Sequence, residues 1–401
     1  MKDVLIVAHF SGDLDQQGNN RINYIAELLS GHFDVELVTS DFSHFTKTKR
    51  EAKDNNQQKY AVTYISEPGY KKNVSVSRYN SHNVFSKNLN KYLTNRKKPD
   101  IIYCTVPSLA AAYIAAKYAE EKNIRFVLDI RDLWPEAFKM VFTVPVLSDI
   151  VFYPFSRKAD SLYQKADAII AVSQTYVDRA MSVNRKCKEG HSVFLGTELR
   201  KFDEYVAENK ISKPVDEIWL AYIGTLGHSY DLNTAIDALV ILKNKGINNI
   251  KFIVMGDGPL EQKFKDYANK KDIYCNFTGK LEYPDMVGLL SLCDMAVNPI
   301  TKGAAQSIIN KVGDYAAAAL PVLSTQECPE YRNLLENYNA GINCINSDPE
   351  DLARKTELLY GDKELRLLMG RNNRRMAEEK FDRERTYPQI VDVVKGNGNI
   401  D

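Results

Sequence analysis

Lys311 and Asp314 stand three positions apart in "SIINKVGDYAAAALPVLST" (307–325), at what reads as a strand–turn–helix–strand joint. An ammonium and a carboxylate at a helix mouth suit a ligand that carries both negative charge and hydroxyl groups. The helix N-terminus and the lysine offset the charge, and a carboxylate accepts paired hydrogen bonds from vicinal hydroxyls. The alanines at 316–319 leave the helix thin enough to pack closely on a sheet. A surface salt bridge between the two charges is the plainer alternative. Three more segments place glycines just after apolar runs: "YIGTLGHSYDL" (222–232), "MGDGPLE" (255–261) and "FTGKLEYPDM" (277–286). Gly224 and Gly227 let backbone approach a ligand, with Thr225 as a donor. "GDGP" opens a helix whose free N–H groups favour an anion. It is also an ordinary tight turn, and it lacks the third glycine of a dinucleotide fingerprint.

The elements that must position these residues are short apolar runs alternating with helical patterns. In the first half the strands are predicted at 3–9, 34–40, 100–106, 125–130, 168–172 and 191–196; in the second at 217–224, 250–256, 273–279, 294–300, 320–324 and 341–345. Each run is uniformly apolar, as parallel strands covered on both faces require. Two successive β/α series predict two doubly wound, Rossmann-like domains, and 401 residues exceed what one core usually serves. The polar stretch 197–216 has the composition of a linker. Ligands in such sheets bind beyond the carboxyl ends of the strands, which is where the glycine segments fall.

Composition narrows the function. With 53 Lys and Arg against 52 Asp and Glu, the net charge of +1 gives no global attraction to nucleic acid. Locally, thirteen Lys and Arg against three acids between Thr46 and Lys98 make a basic face, either solvated or turned to anionic lipid. The six cysteines are scattered without C-x-x-C spacing, as for reduced thiols in a cytoplasm. "MKDVLIVAHF" runs into a strand pattern with no signal peptide, and no stretch reaches the roughly 18 apolar residues that span a bilayer. A cytoplasmic protein is expected, peripheral on the membrane if the basic face and the aromatic segment "FKMVFTVPVLSDIVFYPF" (138–155) meet lipid.

In order, Gly224-Thr225, "GDGP" (256–259), "FTG" (277–279), "CDMAVNP" (293–299) and "KVGDYAAAALPV" (311–322) resemble the C-terminal half of GT-B-fold glycosyltransferases, family 4 in particular. "DIRDLWPE" (129–136) resembles a segment of bacterial transferases that build capsule, O-antigen and other surface polysaccharides, and "QGNNR" (17–21) looks like their shortened glycine loop. "FDRERTYPQIVDVV" (381–394) is similar to the C-terminal segment that crosses back to the first domain. The resemblance implies an α/β, GT-B fold: two Rossmann-like doubly wound domains facing across a cleft. It implies an acceptor domain at 1–200, a nucleotide-sugar domain at 201–380 and a crossing segment at 381–401.

The implied activity is retaining transfer of a sugar from a nucleotide sugar, by family habit a UDP-sugar, to a glycan or polyprenyl-linked acceptor. The leaving phosphate helps deprotonate the acceptor. The nucleotide sugar is a substrate, and no cofactor or metal is expected; Asp13-Leu14-Asp15 is read as a solvated turn. The resemblance sets Lys311 by the diphosphate and Asp314 on the ribose hydroxyls. Gln306 stands where the family usually has a glutamate contacting the transferred sugar, with Ser307 or Asn310 there if the alignment slips. Gly224, Thr225, Gly227, His228, Gly256, Gly258, Gly279, Lys280 and Leu281 complete the implied donor set. His228 and Asp231 replace the family's arginine and lysine. Gly18, Asn19, Arg131 and Asp132 form the implied acceptor side; Arg131 and Asp132 join Lys311 and Gln306 as catalytic candidates. Asp129 could equally cap the following turn, and Trp134 reads as core.

Three other readings stand beside this one. A nucleotide-sugar 2-epimerase shares the fold but needs acids and histidines around the sugar, and the six histidines are spread along the sequence without clustering. His228 and Gln306 also suit a protein that binds a nucleotide sugar without turnover. A nicotinamide dehydrogenase lacks the full glycine fingerprint.

Overall fold

A computed structural model describes residues 1–12, 20–50, 58–73, 75–136, 145–304 and 308–396, the side chains of 145–151 excepted. The chain forms two compact units, one running to Phe194 and taken up again from Tyr387, the other Leu195–Thr386.

The first unit has a seven-stranded sheet in the order β3-β2-β1-β4-β5-β6-β7, every pairing parallel. The strands are β1 Asp3–Val7, β2 Asp34–Ser40, β3 Ala61–Ile65, β4 Ile101–Val106, β5 Arg125–Ile130, β6 Ala168–Ala171 and β7 Gly190–Ser192. Val4, Leu5, Ile6, Ile102 and Leu128 are wholly buried, because helices cover both sheet faces. The last helix, Pro388–Lys395, closes this core with Ile390, Val391, Val393 and Val394. Full burial of each such side chain contributes about 1.5–3 kcal/mol.

The second unit has six parallel strands, ordered β10-β9-β8-β11-β12-β13. They are β8 Ile218–Ile223, β9 Ile250–Met255, β10 Cys275–Gly279, β11 Met295–Asn298, β12 Val322–Ser324 and β13 Gly341–Asn343. Both sheets reverse their winding beside the first strand, between β1 and β4 and between β8 and β11, and a crevice opens at such a point.

Several expectations change. The stretch 197–216 is not simply a linker, because Leu199–Glu208 is a helix that buries Leu199 and Phe202 and packs on the helix Tyr283–Leu290. Strand β3 was not foreseen; as an edge strand with mostly half-exposed residues it lacks the apolar run of a central strand. The run expected at 191–196 is a strand only to Ser192. The helix entered through Lys311 is Asn310–Ala317, and Ala319 lies beyond it, exposed and left-handed at φ +54°. Among the described residues, no helix is long and apolar enough to cross a membrane.

Candidate functional site

In the second unit the helix Asn310–Ala317 is anchored at the switch point by one phenol. Tyr315, wholly buried, accepts from Ile223 N (3.0 Å) at the end of β8 and donates to Val297 O (3.2 Å) on β11. The helix N-terminus therefore lies by the carboxyl ends of both strands. It has no side-chain cap, and Asn310, its first residue, is exposed.

Lys311 is 6% exposed, and its Nζ has no hydrogen-bond partner among the described residues. The ammonium lies instead 4.0 Å from the ring centroid of Tyr222 and 3.8 Å from that of Tyr230. Burial holds its pKa well below the usual lysine range. Gly224 faces it at φ +128°, and a Cβ there would stand 3.0 Å from Lys311 Nζ, close enough to push the ammonium aside.

Asp314, also 6% exposed, turns to other partners. Its Oδ1 accepts from Tyr283 Oη (2.8 Å) and Thr197 Oγ1 (3.1 Å). Burial raises its pKa to about 6 against those two donors. Gly313 makes this possible, since a Cβ there would stand 2.9 Å from Thr197 Oγ1. The surface salt bridge considered for Lys311 and Asp314 does not form: both are buried and each is held by different residues.

The other glycines serve the loops themselves. Leu226 N donates to Asp257 O (2.7 Å), Leu260 N to Leu226 O (3.0 Å) and Gly256 N to Gly279 O (2.9 Å). A Cβ on Gly256 would lie 2.0 Å from Gly224 O, and one on Gly258 2.4 Å from Leu226 O. Gly279, at φ +71°, has open space where a Cβ would go. Thr225, His228 and Lys280 are exposed, while Gly227 and Leu281 are half-buried. Asp231 caps the helix Leu232–Asn244 through Thr234 N (3.2 Å) and Thr234 Oγ1 (2.6 Å), which explains an acid at that position. Gln306, Ser307, Gly18, Asn19, Asp13 and Asp15 lie outside the described residues.

In the first unit the strand ends carry a polar cluster that sequence reasoning missed. His9, after β1, is sandwiched between Phe10 (4.6 Å) and Phe85 (3.9 Å). Its Nε2 donates to Glu67 Oε1 (2.8 Å), and its Nδ1 accepts from Ser108 Oγ (2.7 Å) across the β1–β4 switch point. Glu67, 2% exposed, also accepts from Ser81 Oγ (2.6 Å) and from Ser40 Oγ. Burial opposes its charge, but the hydrogen bonds from His9, Ser40 and Ser81 prevail and hold its pKa below the usual carboxylate range. Burial lowers the His9 pKa against the pull of Glu67. Burial also lowers His82 to about 2 and His44 to about 3, helped by the cations beside them. His82 lies 4.7 Å from His9 and 5.4 Å from Phe10, and His44 4.9 Å from Phe10. So the histidines do cluster, contrary to the sequence expectation, because β1, β2 and the helix Val76–Asn95 bring positions 9, 44 and 82 together.

Arg131 and Asp132 follow β5. Arg131 Nη1 donates to Phe10 O (3.4 Å), and Asp132 Oδ2 accepts from Trp134 Nε1 (3.1 Å). Burial raises the Asp132 pKa. Trp134 is half-buried, not core. Asp129 does not cap the turn. It is wholly buried and paired with Arg21 at 3.2 Å, and Arg21 also donates to Tyr387 Oη (2.9 Å).

Tyr222 and Tyr230 frame the glycine loop eight positions apart, a signal visible in "YIGTLGHSY". Thr197, Tyr283, His9 and Glu67 gave none, since each finds its partner only through the fold.

The two sheets, each wound 3-2-1-4-5-6 from its own first strand with one further strand at the edge of the first, now stand beside known structures. Anabaena HepE in complex with UDP superposes with a TM-score of 0.72 at 16% identity, covering 99% of this chain and 100% of that one. The Thermosynechococcus elongatus sucrose-phosphate synthase superposes at 0.77 with 14% identity, covering 99% of each chain. WaaG, a glycosyltransferase involved in lipopolysaccharide biosynthesis, superposes at 0.68 with 14% identity, over 98% of this chain and 100% of that one.

The fold is GT-B.

Within this GT-B chain, residues 205–376 match the family model described as Glycosyl transferases group 1. The match contains Gly224, Gly256, Lys311 and Asp314. No curated protein sequence matches the chain. The Lys311 helix and the His9 cluster each stand at a switch point, where a doubly wound sheet opens a crevice.

Proposed function

We propose that this chain is a metal-independent, retaining glycosyltransferase of the family 4 type. In this reading it moves a hexosyl or N-acetylhexosaminyl group from a UDP-sugar to a glycan acceptor, polyprenyl-linked, in surface polysaccharide synthesis. One observation carries it: a buried ammonium without an acceptor among the described residues, at an uncapped helix N-terminus facing a glycine loop. A desolvated lysine is unfavourable until an anion arrives. A diphosphate bound there stabilises the ammonium and lets it offset the charge that develops on the leaving group. Asp314 is the carboxylate for the ribose hydroxyls, exchanging its Tyr283 or Thr197 contact for them or using its second oxygen. The group 1 match and the UDP and UDP-glucose held by HepE support a nucleotide-sugar donor.

Arg131 and Asp132 serve the acceptor side. Exposed Val76, Tyr79 and Tyr153 among lysines and arginines fit a peripheral contact with anionic lipid. Liposome sedimentation at low and high salt tests that part: binding indifferent to salt, or none, removes it.

The histidine cluster reopens the 2-epimerase reading, but the two nitrogens of His9 are both engaged within the protein. A product assay separates the two. The protein is incubated with a panel of UDP-sugars, with and without membrane-derived acceptor lipid. Acceptor-dependent UDP release is expected; isomerised UDP-sugar without UDP release would replace the transferase reading.

A further inference from the structure

Lys47 and Arg78 converge on one residue, Tyr70. Lys47 Nζ lies 4.8 Å and Arg78 Cζ 5.5 Å from the centroid of that 5%-exposed ring. Both are tied to Asn73, Lys47 through Oδ1 (2.5 Å) and Arg78 through the carbonyl (2.6 Å). Their remaining contacts are neutral: Lys47 with His44 Nδ1 (3.3 Å), Arg78 with His82 Nε2 (3.4 Å) and with the rings of Phe10 and Trp134.

Neither cation has a carboxylate partner among the described residues. The nearby acids are committed, Glu67 to His9, Ser40 and Ser81, and Asp132 to Trp134. Glu67 and Asp132 attract Arg78 from nearby without forming an ion pair with it, while Lys47 and Arg78 repel each other across the same ring and the same asparagine. Neutral donors would tie Asn73 equally well without repulsion, so the charge itself calls for an explanation. Arg78 also spans Phe10, Tyr70 and Trp134; the first two rings are buried, and half-buried Trp134 is the ring among the three that a sugar can reach.

We infer that Lys47 and Arg78, with Tyr70 and Trp134, form an anion subsite in the first unit that takes a phosphate-ester or carboxylate group attached to a saccharide. That this anion belongs to the acceptor rests on the transferase reading; the subsite itself does not.

Trp134 is one of two tryptophans, so Trp219→Phe leaves it as the single reporter, with Arg78 Cζ 4.9 Å from its ring. The full-length protein is titrated with inorganic pyrophosphate, glucuronate and neutral methyl glucoside while Trp134 emission is followed. Saturation by pyrophosphate identifies a phosphate ester, saturation by glucuronate a sugar carboxylate; methyl glucoside should give no response below the same concentration. Arg78→Met and Lys47→Met should each weaken the anion roughly tenfold or more, and Arg78→Lys should restore most of it. Equal response to the neutral and charged probes, no response to either anion, or unchanged affinity in both variants overturns the subsite. If a variant fails to melt cooperatively, the parent's discrimination between charged and neutral probes decides. UDP binding is read separately by melting temperature, so failure of the donor reading and failure of this subsite are distinct results.

Discussion

Lys311 and Asp314 share a buried helix one turn apart and never meet: the ammonium lies between Tyr222 and Tyr230, the carboxylate under Tyr283 and Thr197. The two charges therefore do not compensate each other, and each can be tested alone.

Lys311→Met should abolish most nucleoside diphosphate binding without harming the fold. Methionine fills the slot between the two rings and removes a buried ammonium with no acceptor among the described residues. The expected result is a melting temperature equal to or above that of the parent, with affinity for UDP weakened roughly tenfold or more. A UDP-induced shift as large as the parent's would place the diphosphate elsewhere.

Asp314 gives stability a pH signature. Its folded pKa of about 6 lies above the ordinary 3.8, so the native state holds the extra proton and stability declines as pH rises through that window. Above it the ionised carboxylate costs about 3 kcal/mol. Asp314→Asn keeps an acceptor for Tyr283 and Thr197. It should flatten the melting temperature between pH 4 and 6.5, stabilise the protein at pH 7.5, and lose donor affinity. A slope unchanged by the substitution would show that another group titrates.

The glycines separate into two kinds. At Gly256 a Cβ would meet Gly224 O at 2.0 Å with φ at +141°, so Gly256→Ala must force the two loops apart. A loss of several kcal/mol, about 3 or more, is expected from strain and broken loop hydrogen bonds. Gly279→Ala meets open space and only the left-handed backbone, for about 1–2 kcal/mol. Urea unfolding of both variants gives the order; equal losses would refute the distinction.

Arg21 and Asp129 form a buried pair in the first unit. Removing one partner alone, by Arg21→Met or Asp129→Leu, should destabilise by about 3–5 kcal/mol, because it strands the other charge. The double substitution should cost clearly less than the sum. Additive losses in the double-mutant cycle would mean the two charges are solvated independently.

The central strands and the glycine segments of the second half were legible in the sequence for one reason: a parallel strand covered on both faces has to be a continuous apolar run, and the glycines follow it immediately. The helix Leu199–Glu208 was not legible, since its polar face gives a linker's composition and only Leu199 and Phe202 mark the buried side. The half-exposed edge strand β3 escaped for the same kind of reason.

By itself the sequence determined the central strands, the glycine loops and the placing of Lys311 and Asp314 on one helix, because periodicity and backbone freedom are local properties. Only the tertiary structure decided that the two charges part company, that His9, His44 and His82 come together, and that Arg21 finds Asp129. Those outcomes depend on which strand ends lie side by side. In a doubly wound sheet, neighbours in space are set by strand order, not by sequence distance.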